Sequence, residues 1–421
     1  MKVYIKIISV VLLFLTMQKV VAQDAKRELT KKEKKSIILS IQTHLNAAYV
    51  NLETSHNMVN ELERNLKSNK YNHITNPSEF SKVLTIDLQK ISKDLHLKVN
   101  FEPKKIAQKK HVVSEKEQLK MEKMMEAKMA EINYGFLETK ILTGNIGYLN
   151  LLLFADTKYA KETTTAAMNF LCNTNAIIID LRSNKGGVPS MVQLLSSYFF
   201  DKSPVLLSDF YERNTNTKTQ LYTLTDVDGK RSTNKPIYIL TSRNTFSAAE
   251  AFSYTLKHYN KATIVGEVTK GGANRNKRFD INNEFTISIP YIATIHPITK
   301  TSWEGKGVQP NIKTTKKDAF IIAYIDAINK TVKRKKNQLF NKIGYTLLKE
   351  KSFDDAIKVF QENVKLFPND ANLWDSLGEA YFINHDNESA LKSYTKALEL
   401  DPNLESSKEM VQKLSTQNKM K

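Results

Sequence analysis

Apolar residues recur at helical spacing from Lys26 to about Lys93, first as Ile37, Ile38, Ile41, Leu45 and Ala48, then as Leu52, Met58, Val59, Leu62 and Leu66. Steps of three and four residues place such positions on one face of a helix. Asn76-Pro77-Ser78-Glu79 carries a turn and helix-start signal, and the helix it opens runs through Leu84, Leu88 and Ile91. The period then falls to two at Leu97-Lys98-Val99-Asn100-Phe101, which predicts a strand just after His96. Between Lys104 and Ile132, charges are dense and Met121, Met124, Met125 and Met129 recur at near-helical spacing. That segment predicts one amphipathic helix packed on a core, or else a flexible apolar strip touching substrate.

From Gly144 onward, short apolar runs at 146–151, 177–179 and 237–240 alternate with helical segments at 159–171, 192–200 and 248–258. Alternating strands and helices imply a mostly parallel, helix-covered sheet. The polar stretch 211–235 predicts a hairpin with Asp228-Gly229 at its turn, and 285–291 predicts a late strand. Farther on, Gly344 and Gly378, Ala356 and Ala390, Phe360 and Tyr394, and Pro368 and Pro402 each lie 34 residues apart. This period and pattern match the tetratricopeptide repeat, with small residues where paired helices cross and Pro ending the second helix. Such repeats bind peptides in a concave groove, although two could equally pack on the neighbouring domain or dimerise it.

The expected organisation is a leader at 1–22, an N-terminal helical domain at 26–95, a short strand and charged Met-rich helix at 96–139, an α/β core at 140–318, a basic helical linker at 319–337, and two repeats with a capping helix at 338–414. The leader reading rests on Lys2 and Lys6, the apolar run Ile7 to Leu15, and the small-residue site Val20-Val21-Ala22. Those are the parts of a secretory signal peptide cleaved after Ala22, and the run is short for a membrane anchor. A secreted or periplasmic location is therefore expected. No cysteine follows the apolar run, so a lipid anchor is not indicated; the single cysteine, Cys172, reads as core packing. The 63 basic and 44 acidic residues give a net charge of +19. No nucleic-acid motif accompanies that charge, so nucleic acid is not expected as a partner, while peripheral attraction to acidic envelope surfaces stays open.

The chemistry concentrates at two turns. Ile237-Tyr238-Ile239-Leu240-Thr241-Ser242-Arg243-Asn244-Thr245-Phe246-Ser247-Ala248-Ala249-Glu250 runs from a strand through a polar turn into a helix, so Ser247 stands at a helix start. The first amides of a helix lack internal partners and favour negative charge, which suits Ala248 N–H to an oxyanion forming beside Ser247. The alternative is an ordinary serine cap. The strand Asn175-Ala176-Ile177-Ile178-Ile179-Asp180 ends in Leu181-Arg182-Ser183-Asn184-Lys185-Gly186-Gly187, whose glycine pair allows positive φ and main-chain amides facing a ligand.

These two stretches, with Gly144-Asn145-Ile146-Gly147-Tyr148-Leu149 before them and Gly266-Glu267-Val268-Thr269-Lys270-Gly271-Gly272-Ala273 and Trp303-Glu304-Gly305-Lys306-Gly307-Val308-Gln309-Pro310 after, resemble the tail-specific (C-terminal processing) serine peptidases. The fold implied is a ClpP/crotonase-like α/β peptidase core, flanked here by the helical and repeat domains. The Ser-Lys branch of the superfamily carries its lysine where this chain has Gly272, and Lys270 is two residues early, so whether Lys270 substitutes as base is left open. The branch similar to the tricorn protease core and the interphotoreceptor retinoid-binding protein repeats uses an upstream His and a Glu near the closing segment. Ser92-Lys93-Asp94-Leu95-His96 and Trp303-Glu304-Gly305 supply both. The resemblance thus implies a triad of Ser247, His96 and Glu304, with Ala248 N–H and an amide of Gly186 or Gly187 as the oxyanion hole. Glu267 is the fallback for Glu304, Glu250 reads mainly as support of the helix start, and Asp180 and Arg182 as braces of the glycine turn. His111, His258, His296 and His385 do not combine at metal-ligand spacing, and neither metal nor cofactor is expected. The implied function is an exported serine endopeptidase acting on protein or peptide substrates, with the repeats available to a protein partner. A non-catalytic binding protein for hydrophobic ligands or peptides on the same scaffold is the alternative.

Overall fold

A computed structural model describes residues 27–109 and 114–419, and the leader expected at 1–22 lies outside the described residues. The chain forms two compact units, each discontinuous in sequence. The first takes the chain up to Met125 together with 206–221 and 271–306; the second takes 126–205, 222–270 and 307–421.

In the first unit, helices Lys31–Ala48, Leu52–Lys67 and Pro77–Ser92 start at Thr30, Asn51 and Asn76, whose side chains accept the amides of Glu33, Thr54 and Glu79. Each cap satisfies a donor that a helix start otherwise leaves bare. The apolar faces pack on a five-stranded sheet ordered Lys98–Phe101, Phe285–Ile295, Leu206–Glu212 and Thr217–Tyr222, with Arg275–Asp280 also paired to Phe285–Ile295. Ile37, Ile41, Leu45, Met58, Leu62, Phe80 and Leu84 share one core with Val99, Phe285, Ile287 and Ile289. The period-two positions 285, 287 and 289 supply the sheet's contribution. A buried lysine, Lys34, donates to the carbonyls of Tyr71, Asn72 and Ile74 at 2.8, 2.9 and 3.1 Å. The last of the three helices ends at Lys93 in the left-handed region (φ 56°), so His96 stands in the turn between helix and strand.

Four expectations are corrected by this fold. The hairpin joins Leu206–Glu212 to Thr217–Tyr222 and turns at 213–216, where Asn216 has φ 49°. Asn tolerates that conformation, so the chain reverses before Asp228-Gly229 is reached. Gly229 instead packs in the second unit against Asn169, whose Oδ1 accepts Lys230 N–H at 3.2 Å. The Met-rich helix, Glu115–Glu131, has no buried residue, and Met121, Met124 and Met125 are exposed. Nine of its 17 residues are lysine or glutamate, so packing it down would take charges out of water along with the methionines.

The second unit is built on a six-stranded sheet ordered Ile312–Lys313, Thr263–Gly266, Ile237–Thr241, Ala176–Asp180, Ile146–Leu151 and Phe136–Leu142. All neighbours are parallel except the last pair. Ala176–Asp180 and Ile237–Thr241 are buried at every position, as their unbroken apolar runs require of central parallel strands. Helix Ala319–Thr331, expected as a basic linker, packs into the unit: Ile321, Ala323, Tyr324, Ala327 and Ile328 share a core with Ile178, Tyr238 and Leu240, and with Phe340, Ile343 and Val359 of the first repeat. The repeats are Lys336–Lys349 with Phe353–Leu366, and Ala371–Ile383 with Asn387–Leu400, closed by Glu405–Lys419. A Cβ at Gly344 would lie 2.4 Å from the Phe360 ring, and one at Gly378 2.9 Å from the Tyr394 ring. The 34-residue recurrence therefore marks where a bare backbone meets an aromatic ring. Cys172, expected in the core, is partly exposed just after helix Thr157–Leu171. No helix among the described residues is long and apolar enough to cross a membrane.

Candidate active site

The central parallel strands Ala176–Asp180 and Ile237–Thr241 end side by side, and both turns leave from their carboxyl ends, where open α/β sheets place their ligands. Side chains lock the turns together: Thr245 Oγ1 donates to Leu181 O at 2.8 Å, and Ser242 Oγ to Arg182 O at 2.5 Å. Asn184 Nδ2 donates to Leu151 O at 2.8 Å while its own carbonyl accepts Phe246 N–H at 3.1 Å. Asp180, held by Tyr148 Oη at 2.8 Å and by the Arg182 guanidinium, braces the first turn as anticipated.

Ser247 occupies φ 55°, ψ −118° at the start of helix Ala248–His258. A non-glycine residue there is strained by about 1–3 kcal/mol, as in the sharp strand-to-helix turns that expose a nucleophile. Gly186 lies against it: a Cβ on Gly186 would sit 2.8 Å from Ser247 Cβ and 3.0 Å from Ala248 N. A Cβ on Gly187 would sit 2.0 Å from Phe154 O, so both glycines are required by close approach. Their amides differ. Gly186 N–H donates to Asn184 Oδ1 at 2.8 Å, whereas neither Gly187 N–H nor Ala248 N–H has a hydrogen bond among the described residues. Beneath the serine, Ser247 N–H donates to Glu250 Oε2 at 2.8 Å, and Thr269 Oγ1 donates to Glu250 Oε1 at 2.5 Å. Lys270 is exposed, with its Nζ over the Phe246 ring at 5.2 Å, and Glu267 accepts Arg243 N–H at 3.1 Å.

The other candidate residues belong to the first unit. His96, with a side chain only 11% exposed, has Nδ1 3.7 Å from Asp94 Oδ1, and the same oxygen accepts His96 N–H at 3.0 Å. Asp94 is fully buried, and Asn274 Nδ2 donates to its other oxygen at 3.2 Å. Burial pushes the Asp94 carboxyl up to about 6, against the lowering effect of the Asn274 and His96 hydrogen bonds. Glu304 Oε2 accepts the Ala273 and Asn274 amides at 2.6 and 3.0 Å. Trp303 Nε1 donates to Gly272 O at 2.9 Å, fixing the segment next to Glu304. One ligand-type atom each of Asp94, His96 and Glu304 falls within a mutual 4.8 Å. Tyr49, also buried, is held well above the usual phenol range by its burial and by the Asp94 and Glu304 charges.

The histidine is thus flanked by two carboxylates, where one had been anticipated. Asp94 was part of the quoted stretch before His96 without being given a role, and Tyr49 and Asn274 carried no local signal. The three side chains could present N and O atoms to a cation, but Glu304 and Asp94 already accept three main-chain amides and one side-chain amide. Carboxylates held by N–H donors around an imidazole are arranged to orient it and to stabilise its charged form.

The model of peptidase family S41 matches residues 145–314, that of the N-terminal domain of peptidase S41 in eukaryotic IRBP matches 28–134, and that of the tetratricopeptide repeat matches 371–404. Among curated relatives, the carboxy-terminal processing protease CtpA of Bacillus subtilis is 25% identical over 238 residues, covering 53% of this chain and 48% of that protein. The chloroplastic carboxyl-terminal-processing peptidase 2 of Arabidopsis thaliana is 26% identical over 171 residues, 39% of this chain and 31% of that one. The chain therefore spans about half or less of the length of these relatives. The solved photosystem II D1 C-terminal processing protease aligns over 41% of this chain and 42% of its own, at 20% identity and a TM-score of 0.33. From its sequence, the chain carries a peptidase family S41 domain, preceded by the N-terminal domain of that family and followed by a tetratricopeptide repeat.

Proposed function

We propose that this protein is an exported serine endopeptidase in which Ser247 is the nucleophile, His96 the general base and Glu304 the residue that orients the imidazole. The observation carrying this reading is Ser247 itself, held in a strained strand-to-helix turn beside two uncommitted main-chain amides. Ser247 Oγ adds to the carbonyl carbon of a peptide bond as its proton passes to His96. The carbonyl oxygen takes up negative charge against Ala248 and Gly187 N–H, Gly186 N–H being occupied by Asn184. His96 returns the proton to the departing amine, and water then cleaves the acyl-serine ester by the same exchange. Asp94 and Glu304, both beside His96, support the imidazolium formed in each half. Export rests on the leader reading, and N-terminal sequencing of the mature protein that found Met1 rather than Gln23 would remove it. The repeats offer a surface for a protein partner.

The test is labelling with a fluorophosphonate probe followed by mass spectrometry of the adduct. The mature protein is expected to carry the label on Ser247, and Ser247→Ala and His96→Ala are expected to lose it. A folded protein that takes up no probe overturns this reading in favour of a binding protein on a peptidase scaffold.

A further inference from the structure

Three capping pairs of the same sequence form occur among the described residues, and one is built differently. At Thr30 and Glu33, and again at Ser114 and Glu117, a hydroxyl residue and a glutamate three positions later close an ordinary helix start, with the N-cap amide donating to the glutamate at 2.8 and 3.0 Å. Both are exposed, and Thr30 has the usual extended conformation, φ −74°, ψ 159°. At Ser247 and Glu250 the first residue is strained and the glutamate is completely buried. Its second oxygen reaches out of the helix to Thr269 Oγ1 at 2.5 Å, and Thr269 Oγ1 in turn accepts Val308 N–H at 2.7 Å. The contact between these last two segments is as close as backbone allows, since a Cβ on Gly307 would lie 2.2 Å from Thr269 O.

A helix cap requires none of this. A carboxylate buried without partners would be costly, whereas Glu250 accepts a hydrogen bond on each oxygen. We infer that Glu250, Thr269 and the Val308 amide form a positioning relay that holds the Ser247 main chain in its strained turn, so that three of the segments quoted in the sequence meet in one device. The Glu250 carboxylate and the Thr269 hydroxyl act through the Ser247 amide. The relay rests on the serine-peptidase reading and adds to it the groups that keep the nucleophile aimed.

The experiment measures the saturable rate of fluorophosphonate labelling at Ser247 in full-length protein, resolving maximal rate from probe affinity. Thr269→Val preserves shape but removes the hydroxyl, and is expected to lower the maximal rate at least tenfold with probe affinity changed less than threefold. Thr269→Ser restores the hydroxyl and is expected to recover most of the rate. Thr30→Val, which removes one of the ordinary caps, leaves the rate as in wild type. Should Thr269→Val fail to fold, Glu250→Leu, of similar size and without hydrogen bonds, is expected to show the same loss. Labelling of Thr269→Val or Glu250→Leu at the wild-type rate overturns the relay, as does a Thr269→Ser protein no better than Thr269→Val. Wild-type protein that takes no probe at Ser247 overturns the peptidase reading instead, so the two failures are distinguishable.

Discussion

Replacing Asp94 by Asn should make the protein more stable at neutral pH and should do so by an amount that depends on pH. An ordinary aspartyl group titrates near 3.8, whereas burial places Asp94 near 6. Between those values the folded protein holds a proton that the unfolded chain has released, so stability falls as pH rises through the interval. Below about 4 both states are protonated and the cost vanishes; above about 6 it is complete. At about 1.4 kcal/mol per pH unit the full cost is on the order of 3 kcal/mol. Roughly 2 kcal/mol of this develops between pH 4.5 and pH 7. Asn keeps an oxygen for His96 N–H, and the Asn274 amide can turn to meet the new NH2. The chain has two tryptophans, and Trp303 lies in the same unit as Asp94 while Trp374 lies in the second repeat. Urea unfolding followed by Trp303 fluorescence in a Trp374→Phe background therefore reports the relevant unit. The difference between Asp94→Asn and its parent should grow by about 2 kcal/mol from pH 4.5 to 7. A constant difference, or one that shrinks as pH rises, would refute the reasoning.

Two further outcomes bear on separate parts of the molecule. Lys270→Met should label within about twofold of wild type, because the ammonium group lies over Phe246 and no role in proton transfer is assigned to it; abolished labelling would transfer the base to this lysine. Gly344→Ala should lower the urea midpoint of the repeats, read from Trp374, by an amount equivalent to about 1–3 kcal/mol, since the added methyl group meets the Phe360 ring at 2.4 Å. Shrinking the ring with Phe360→Leu should recover part of the loss, and an unchanged midpoint in Gly344→Ala would remove the close helix crossing.

The parallel sheet was legible because buried central strands must be continuously apolar, and the runs at 177–179 and 237–240 could be little else. The helix start at Ala248 and the 34-residue period were equally plain, each set by a local backbone requirement. What escaped detection depends on distant packing. Nothing in the composition of helix Ala319–Thr331 tells whether its apolar face meets a sheet or water, and only Ile178, Tyr238 and Leu240 decide it. The turn at 213–216 won over Asp228-Gly229 because a single asparagine in the left-handed region suffices to reverse the strand. At the candidate site, the spacing around Gly186 and Gly187 pointed to the turn but could not say which amide would be consumed, since that depends on the rotamer of Asn184. The second carboxylate beside His96 was visible as a letter two positions upstream, yet its side-chain partner Asn274 stands 180 positions farther along the chain.

The division of the chain into interleaved units has a consequence for how the protein is made. The path changes unit after Met125, Val205, Leu221, Lys270 and Lys306. The sheet of the first unit has its most connected strand at Phe285–Ile295, so a ribosome must pass that point before the three N-terminal helices have a surface to cover. Folding one domain at a time from the N-terminus, the common course for long chains, is closed to those helices, which wait through most of synthesis with their apolar faces uncovered. A nascent chain arrested anywhere before position 285 should therefore be a client for holding chaperones, and no single cut in the gene yields either unit whole.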